Sequence, residues 1–388
     1  MAKAPKAAAG IAGEYILNAD NFEGDFTEST SFSISETTGS ITLDMYEGTP
    51  SFDYNVVLND FTYDGAVVYG EYDAAEGTIF IPVQKIAYNN TYKDIYISGG
   101  CRIDDQHLDY GKSLVLVVNE DGTMELDSDY DDTDPEDWET EGWVSFLPNY
   151  VDPDTGDKGG IWNYGYDFEV KKPNGTMSYS TTSAAMGGTG SGWARVQKRV
   201  YIEDYGTDWV VSNFLGLCPV SVTLESDNKC YIALGVKMYD YDRDEPYGYY
   251  RLVGITIDGN YIVRNYDKTK FNGFYEDGYC EFFKTEYKDA WTDAEGSHDA
   301  GYYYVDEDDD YIRYVAVATA NDNEGAAYVI GYACNIWIES DEHAATGIIA
   351  PKATTDTKST TLYDLQGRVV DGSYKGIVIS NGKKMVVK

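Results

Sequence analysis

Leu114-Val115-Leu116-Val117-Val118-Asn119-Glu120-Asp121-Gly122 decides the fold class. Five apolar, Val-rich residues run into Asp-Gly, a pair that accepts the positive φ angles of a tight hairpin turn. β-Branched side chains fit a pleated surface and lose rotamers in a helix. The same pattern recurs along the chain. Residues 31–35 and 220–224 alternate polar and apolar, and 78–81, 95–97, 311–317 and 335–338 are further short apolar runs. A second Asp-Gly stands at Asp258-Gly259. Alternation at period two sends one set of side chains inward and the other outward. Only residues 284–293 offer a weak helical window.

The expected fold is therefore all-β. We read two tandem antiparallel modules, sandwich or barrel, at residues 12–150 and 160–340. A linker at 341–360 and a small C-terminal β-unit at 361–388 follow. A faint repeat supports the tandem. Val56-Val57-Leu58-Asn59 aligns with Val210-Val211-Ser212-Asn213, and the next strands share the offset. Later, residues 114–122 resemble residues 252–259. Carboxylates crowd residues 127–141, which reads as a linker that resists compaction. The Ser/Thr/Gly-rich residues 176–192 read as a loop or a loosely packed edge.

Composition narrows the function. The 388 residues are 43% hydrophobic and include 37 Tyr, so a packed core is expected. The net charge of −38 argues against nucleic acid, whose phosphates require clustered cations. Apolar runs are strand-sized, so no membrane insertion is expected. Five Cys without a C-x-x-C spacing argue against a disulfide framework, and buried thiols are expected.

No catalytic constellation stands out. Gly188-Thr189-Gly190-Ser191-Gly192 lacks both the spacing of a nucleophile elbow and the Lys of a phosphate cradle. Asp152, Asp154 and Asp157 open like a calcium loop, since Ca²⁺ takes six to eight oxygens. The Gly and the twelfth-position Glu of an EF-hand are missing, so no cofactor is expected beyond calcium at that loop. Aromatic platforms are the more telling feature. Trp162, Tyr164 and Tyr166 alternate, and Tyr247 and Tyr249 form a second pair. Flat rings with a polar handle stack on sugar faces while neighbouring carboxylates and amides take the hydroxyls.

The last 28 residues carry Arg368, Lys375, Lys383, Lys384 and Lys388 against Asp364 and Asp371, a basic module on an acidic body. Leu362-Tyr363-Asp364-Leu365-Gln366-Gly367-Arg368-Val369, then Gly376 and Asn381-Gly382-Lys383-Lys384, resembles the C-terminal sorting domains of secreted Bacteroidota proteins. That resemblance implies export through the type IX secretion machinery. The body, with Ile81-Pro82-Val83-Gln84 after a Val-rich strand, is loosely similar to calycin-like or lipocalin-like surface modules. The function expected is non-enzymatic binding of a glycan or surface component by a secreted or cell-surface protein. The alternatives are a carbohydrate-active enzyme and a structural surface or matrix component.

Overall fold

The computed structural model describes residues 10–20, 27–43, 51–62, 65–104, 107–127, 140–182, 194–239, 250–258, 261–265, 269–282, 285–293, 296–298, 300–304, 314–319 and 327–339, and in the tail 362–364, 369–370, 376–380 and 383–387. Within these the chain is β throughout. One 3-10 turn occurs at Ser226–Asn228, and no α-helix occurs among the described residues. The two tandem antiparallel modules are closed eight-stranded barrels.

The first barrel begins with β1 (Gly13–Asp20), β2 (Thr27–Thr42), β3 (Ser51–Asn59), β4 (Val67–Asp73) and β5 (Thr78–Ile81). The chain leaves the ring as β6 (Gln84–Asn89), β7 (Lys93–Asp104) and β8 (His107–Lys112). It returns as β9 (Leu114–Val118) and β10 (Met124–Leu126), and ends in β11 (Gly142–Phe146) and β12 (Ile161–Lys171). The ring order is β1-β2-β3-β4-β5-β9-β10-β12, closed by β12 on β1. The first half of β12 carries a side branch, β11-β7-β6, with β8 on β7.

The second barrel repeats this wiring. Its strands are β13 (Gly175–Thr182), β14 (Ala194–Asp204), β15 (Asp208–Phe214), β16 (Cys218–Glu225), β17 (Lys229–Ala233), β18 (Lys237–Tyr239), β19 (Tyr250–Asp258), β20 (Tyr261–Asn265), β21 (Lys270–Glu276) and β22 (Tyr279–Glu281). Two small ladders come next, β23 (Thr285–Lys288) with β26 (Gly301–Tyr304) and β24 (Trp291–Asp293) with β25 (Gly296–His298). β27 (Tyr314–Thr319) and β28 (Ala327–Ile338) finish the module. The ring β13-β14-β15-β16-β17-β21-β22-β28 closes through β13, and the branch is β27-β19-β18 with β20. Each barrel is filled by its own side chains. Tyr15, Phe32, Leu58, Phe61 and Val170 are buried in the first, and Trp209, Phe214, Phe271, Phe282 and Ile336 in the second.

Four expectations change. The module boundary falls at Lys172-Pro173-Asn174 rather than at 150–160, because β12 closes the first ring. Within the window at 284–293, the described residues 285–293 carry β23 and β24, since ten residues make a marginal helix and antiparallel pairing satisfies the backbone instead. The stretch beginning at Thr176 is not a loose edge. Met177 and Tyr179 alternate with Thr176 and Ser178, so β13 turns an apolar face into the core between β14 and β28. Residues 183–193 lie outside the described residues. The repeat is real in topology, but the sequence alignment slips. Leu58 pairs with Val68 as Val211 pairs with Val220, one residue away from the expected match. Residues 252–258 lie in β19, the counterpart of β7, and β21 takes the place of 114–118.

The barrels belong to one compact unit, Met1–Glu339. The Ser29 N–H donates to the Leu217 carbonyl at 2.7 Å, and Asn18 Nδ2 donates to Ser212 Oγ at 2.9 Å. Lys171 lies between Glu169 at 2.8 Å and Glu203 of the other barrel, and Arg199 faces Glu14 at 3.4 Å. All five cysteines are free and buried, as the sequence suggests. Burial pushes the Cys218 thiol up to about 12. The tail, Ser340–Lys388, is a second compact unit. Its strands β29 (Leu362–Asp364), β30 (Val369–Val370), β31 (Gly376–Ser380) and β32 (Lys383–Val387) form a sheet in the order β30-β29-β31-β32.

Candidate binding site at the mouth of the first barrel

The inward face of β2 changes character along its length. Ile34 and Phe32 are buried in the core, and the next positions on the same face are Thr30 and Glu28. Across the ladder they meet Leu17 and Ala19 of β1. The barrel interior therefore turns polar at this end. After β3 the chain passes through Asp60 at φ 63° and Thr62 at φ 73°. Phe61 between them plugs the core, and Thr62 remains buried. A β-branched residue in the left-handed region is a strained choice.

Two further strands complete the mouth. Trp143 of β11 lies over Gly165 of β12, and a Cβ on Gly165 would fall 2.2 Å from its ring. The ring also packs against Phe168 at 5.5 Å. Asn163, two residues before Gly165, donates its Nδ2 to the Thr62 carbonyl at 3.1 Å. That bond fixes the amide, so the opposite atom, Oδ1, is the one left over.

These side chains enclose a chamber of about 20 Å³. Leu17 and Ala19 line it with Thr30, Thr62, Trp143 and Asn163, and the half-buried Asp20, Glu28 and Tyr164 complete the wall. Thr30 Oγ1, Thr62 Oγ1, Trp143 Nε1 and Asn163 Oδ1 are buried there without a hydrogen-bond partner among the described residues. Trp143 is 5% and Thr62 4% exposed. A buried polar atom left dry costs about 1–3 kcal/mol, so four around one small space call for an occupant.

The second barrel serves as an internal comparison. The bulge between Asn18 and Asp20 recurs between Ser178 and Ser180, which makes Tyr179 the counterpart of Ala19. Asn213-Phe214-Leu215 repeats Asp60-Phe61-Thr62, with positive φ at its first and third residues. Val196 pairs with Tyr179 as Glu28 pairs with Ala19. There Tyr179 is buried, and its hydroxyl donates to the Leu215 carbonyl at 3.3 Å. In the first barrel that carbonyl's equivalent is taken by Asn163. Ala19, Glu28 and Thr62, small or polar, thus stand where the twin has Tyr179, Val196 and Leu215.

The residues singled out in the sequence are placed as follows. The register of β11 on β12 shifts at Trp162, so Trp162 and Tyr164 do not share a face. Trp162 packs with Tyr92 at 5.1 Å, Tyr92 packs with Tyr150 at 5.2 Å, and all three are half-buried beside the first core. Tyr164 packs on Val83, Tyr96, Val144 and Phe146 beneath the side branch and meets the buried Tyr166 at 6.2 Å. Tyr247 and Tyr249 lie outside the described residues. Asp152 Oδ1 accepts from the N–H groups of Thr155 and Asp154, which holds its carboxyl below the usual range. Among the described residues, Asp152, Asp154 and Asp157 included, no group of three or more His, Cys, Asp or Glu is placed to hold a metal ion. Of the sorting-like residues, Leu362, Tyr363 and Asp364 are in β29 and Gly376 begins β31, whereas Gln366, Gly367, Arg368, Asn381 and Gly382 lie outside the described residues.

Thr30, Thr62, Trp143 and Asn163 were not legible as a site in the sequence. The one signal was that β2's inward positions become polar at Thr30 and Glu28. A larger groove of about 500 Å³ beside β6 is less suggestive. Its Gln84 already brackets the Tyr69 backbone at 2.9 and 2.7 Å, and its Lys85 is paired with Asp94. No protein-family model, no curated protein and no solved structure matches this chain.

Proposed function

We propose that this chain is a secreted or cell-surface binding protein whose first barrel receives a glycan. The observation that carries the reading is the polar barrel mouth, where unpaired buried donors and acceptors lie one residue along β12 from the half-exposed ring of Trp162. Rings supply stacking area and the polar atoms supply orientation, the usual division of labour in a sugar site. The export half of the proposal rests on the sorting-like tail sequence, and the secretion machinery is its proposed partner. Glycan-array binding by the full chain tests the first half. Replacing Trp162 with Ala is expected to weaken binding about tenfold, and unchanged binding removes that ring from the site. Deleting residues 361–388 in the native host tests the second half, and unchanged surface delivery ends the assignment of the tail as an address.

Asp20 and Glu28 line one chamber, which favours glycoside hydrolysis as the second reading, because that chemistry uses two carboxylates. Release of reducing sugar from polysaccharides by the wild type and not by Glu28→Gln would move the protein to that class.

A further inference from the structure

We propose that the chamber at the first barrel's mouth is an anchoring subsite for one hydroxyl group of a neutral glycan. The inference rests on the glycan reading above and adds to it the atom bound, the residues that bind it and the sugars refused. Three observations carry it.

The first is size. About 20 Å³ accommodates one water-sized oxygen and no sugar ring. Only a single protruding group enters, and the ring itself stays outside the chamber. The second is the balance of donors and acceptors. Trp143 Nε1 only donates, Asn163 Oδ1 only accepts, and the hydroxyls of Thr30 and Thr62 do either. An uncharged hydroxyl oxygen accepts from Trp143 and donates to Asn163, with the threonines taking what remains. A bare cation would face the indole N–H, and an anion would face Asn163 Oδ1 with Asp20 and Glu28 beside it. Both are disfavoured by the residues themselves. Sulfated and uronic-acid sugars are refused on the same ground.

The third observation is the twin barrel. Tyr179 occupies the equivalent mouth and ties its hydroxyl to Leu215, so this fold closes the space with a side chain when no ligand is wanted. The first barrel keeps Ala19 there instead and lines the gap with four residues that each carry an unpartnered buried polar atom. A filled core would be the more stable arrangement, so the open, polar version is a specialised one.

The test uses the full chain on an array of neutral, sulfated and uronic-acid oligosaccharides, with and without EDTA. It is repeated with Thr30→Val, which removes one hydroxyl at constant shape, and with Ala19→Tyr, which installs the twin's plug. Binding confined to neutral glycans and indifferent to EDTA is expected, weakened about tenfold by Thr30→Val and abolished by Ala19→Tyr. Should Ala19→Tyr not fold, Thr30→Val with an unchanged melting temperature decides alone. Neutral binding untouched by Thr30→Val, or a co-crystal with water in the chamber and the sugar elsewhere, overturns the subsite and leaves the glycan reading standing. A preference for acidic sugars, or loss of binding in EDTA, overturns the subsite as well. No binding of any glycan overturns both.

Discussion

Single residues show how tightly the first barrel is specified. Gly165 exists for the ring of Trp143, and Gly142 approaches the Gly165 carbonyl so closely that a Cβ would sit 1.9 Å from it. Gly165→Ala must therefore displace the indole, and we expect a loss of about 2–3 kcal/mol in urea denaturation, within the usual cost of overpacking. Asn55 illustrates the opposite device, a polar side chain inside a sheet. Its amide donates to the Tyr72 carbonyl at 2.9 Å and accepts from the Tyr72 N–H at 2.6 Å, in place of a missing strand bond. Asn55→Leu keeps the volume and leaves the part-buried N–H and carbonyl of Tyr72 without this partner, so a loss of about 1–3 kcal/mol is expected in the same assay. Neither role was visible beforehand, because a Gly or an Asn within a strand-like run names no partner.

At the scale of elements, β12 is the pivot. Its second half closes the ring, its first half bears the side branch, and its last residue, Lys171, reaches the other barrel. Burial pulls the Lys171 pKa down, but hydrogen bonds to Glu169 and Glu203 more than offset this and hold it above the usual lysine value. Glu203 is held below the usual carboxylate range, first by Lys171 and then by Tyr205. The two ends of the pH scale then follow. A depressed carboxylate stabilises the fold above its unfolded pKa and loses that contribution as pH falls through the folded value. A raised lysine stabilises below its unfolded pKa and loses the contribution as pH rises through the folded value. Glu203→Gln is thus expected to cost about 1 kcal/mol near neutrality, with Lys171 and Glu203 side chains 12% and 30% exposed. The difference from wild type should shrink below about pH 4 and again above about pH 10.5 when melting is followed across pH. A constant difference at every pH would assign the loss to packing. The sequence showed the strand beginning at Ile161 only as an aromatic alternation. Its bulges at Trp162 and near Asp167 arise from pairing with β11 and β1, and local preference does not encode them.

For the whole molecule, charge and modularity set the expectations. A net charge of −38 repels itself, so added salt should raise the melting temperature at neutral pH, and a fall would show that specific ion pairs outweigh the repulsion. Because Ser340–Lys388 forms its own compact unit, a chain ending at Glu339 is expected to melt within a few degrees of the full protein, as scanning calorimetry would report. The sequence by itself determined the all-β class, the tandem plan, most strands and the separate basic tail. Alternation, Val-rich runs and Asp-Gly turns are local signals, and they survive whatever the strands pair with. Tertiary structure alone decided that each sheet closes into a barrel, that residues 161–171 belong to the first of them, and that Thr30, Thr62, Trp143 and Asn163 converge. Those outcomes depend on register, where a slip of one residue turns every side chain to the opposite face. They depend also on bulges, which change the face again without a mark in the local sequence. Ala19 and Tyr179 could be recognised as counterparts, one leaving a chamber and the other filling it, only after the strands had been paired.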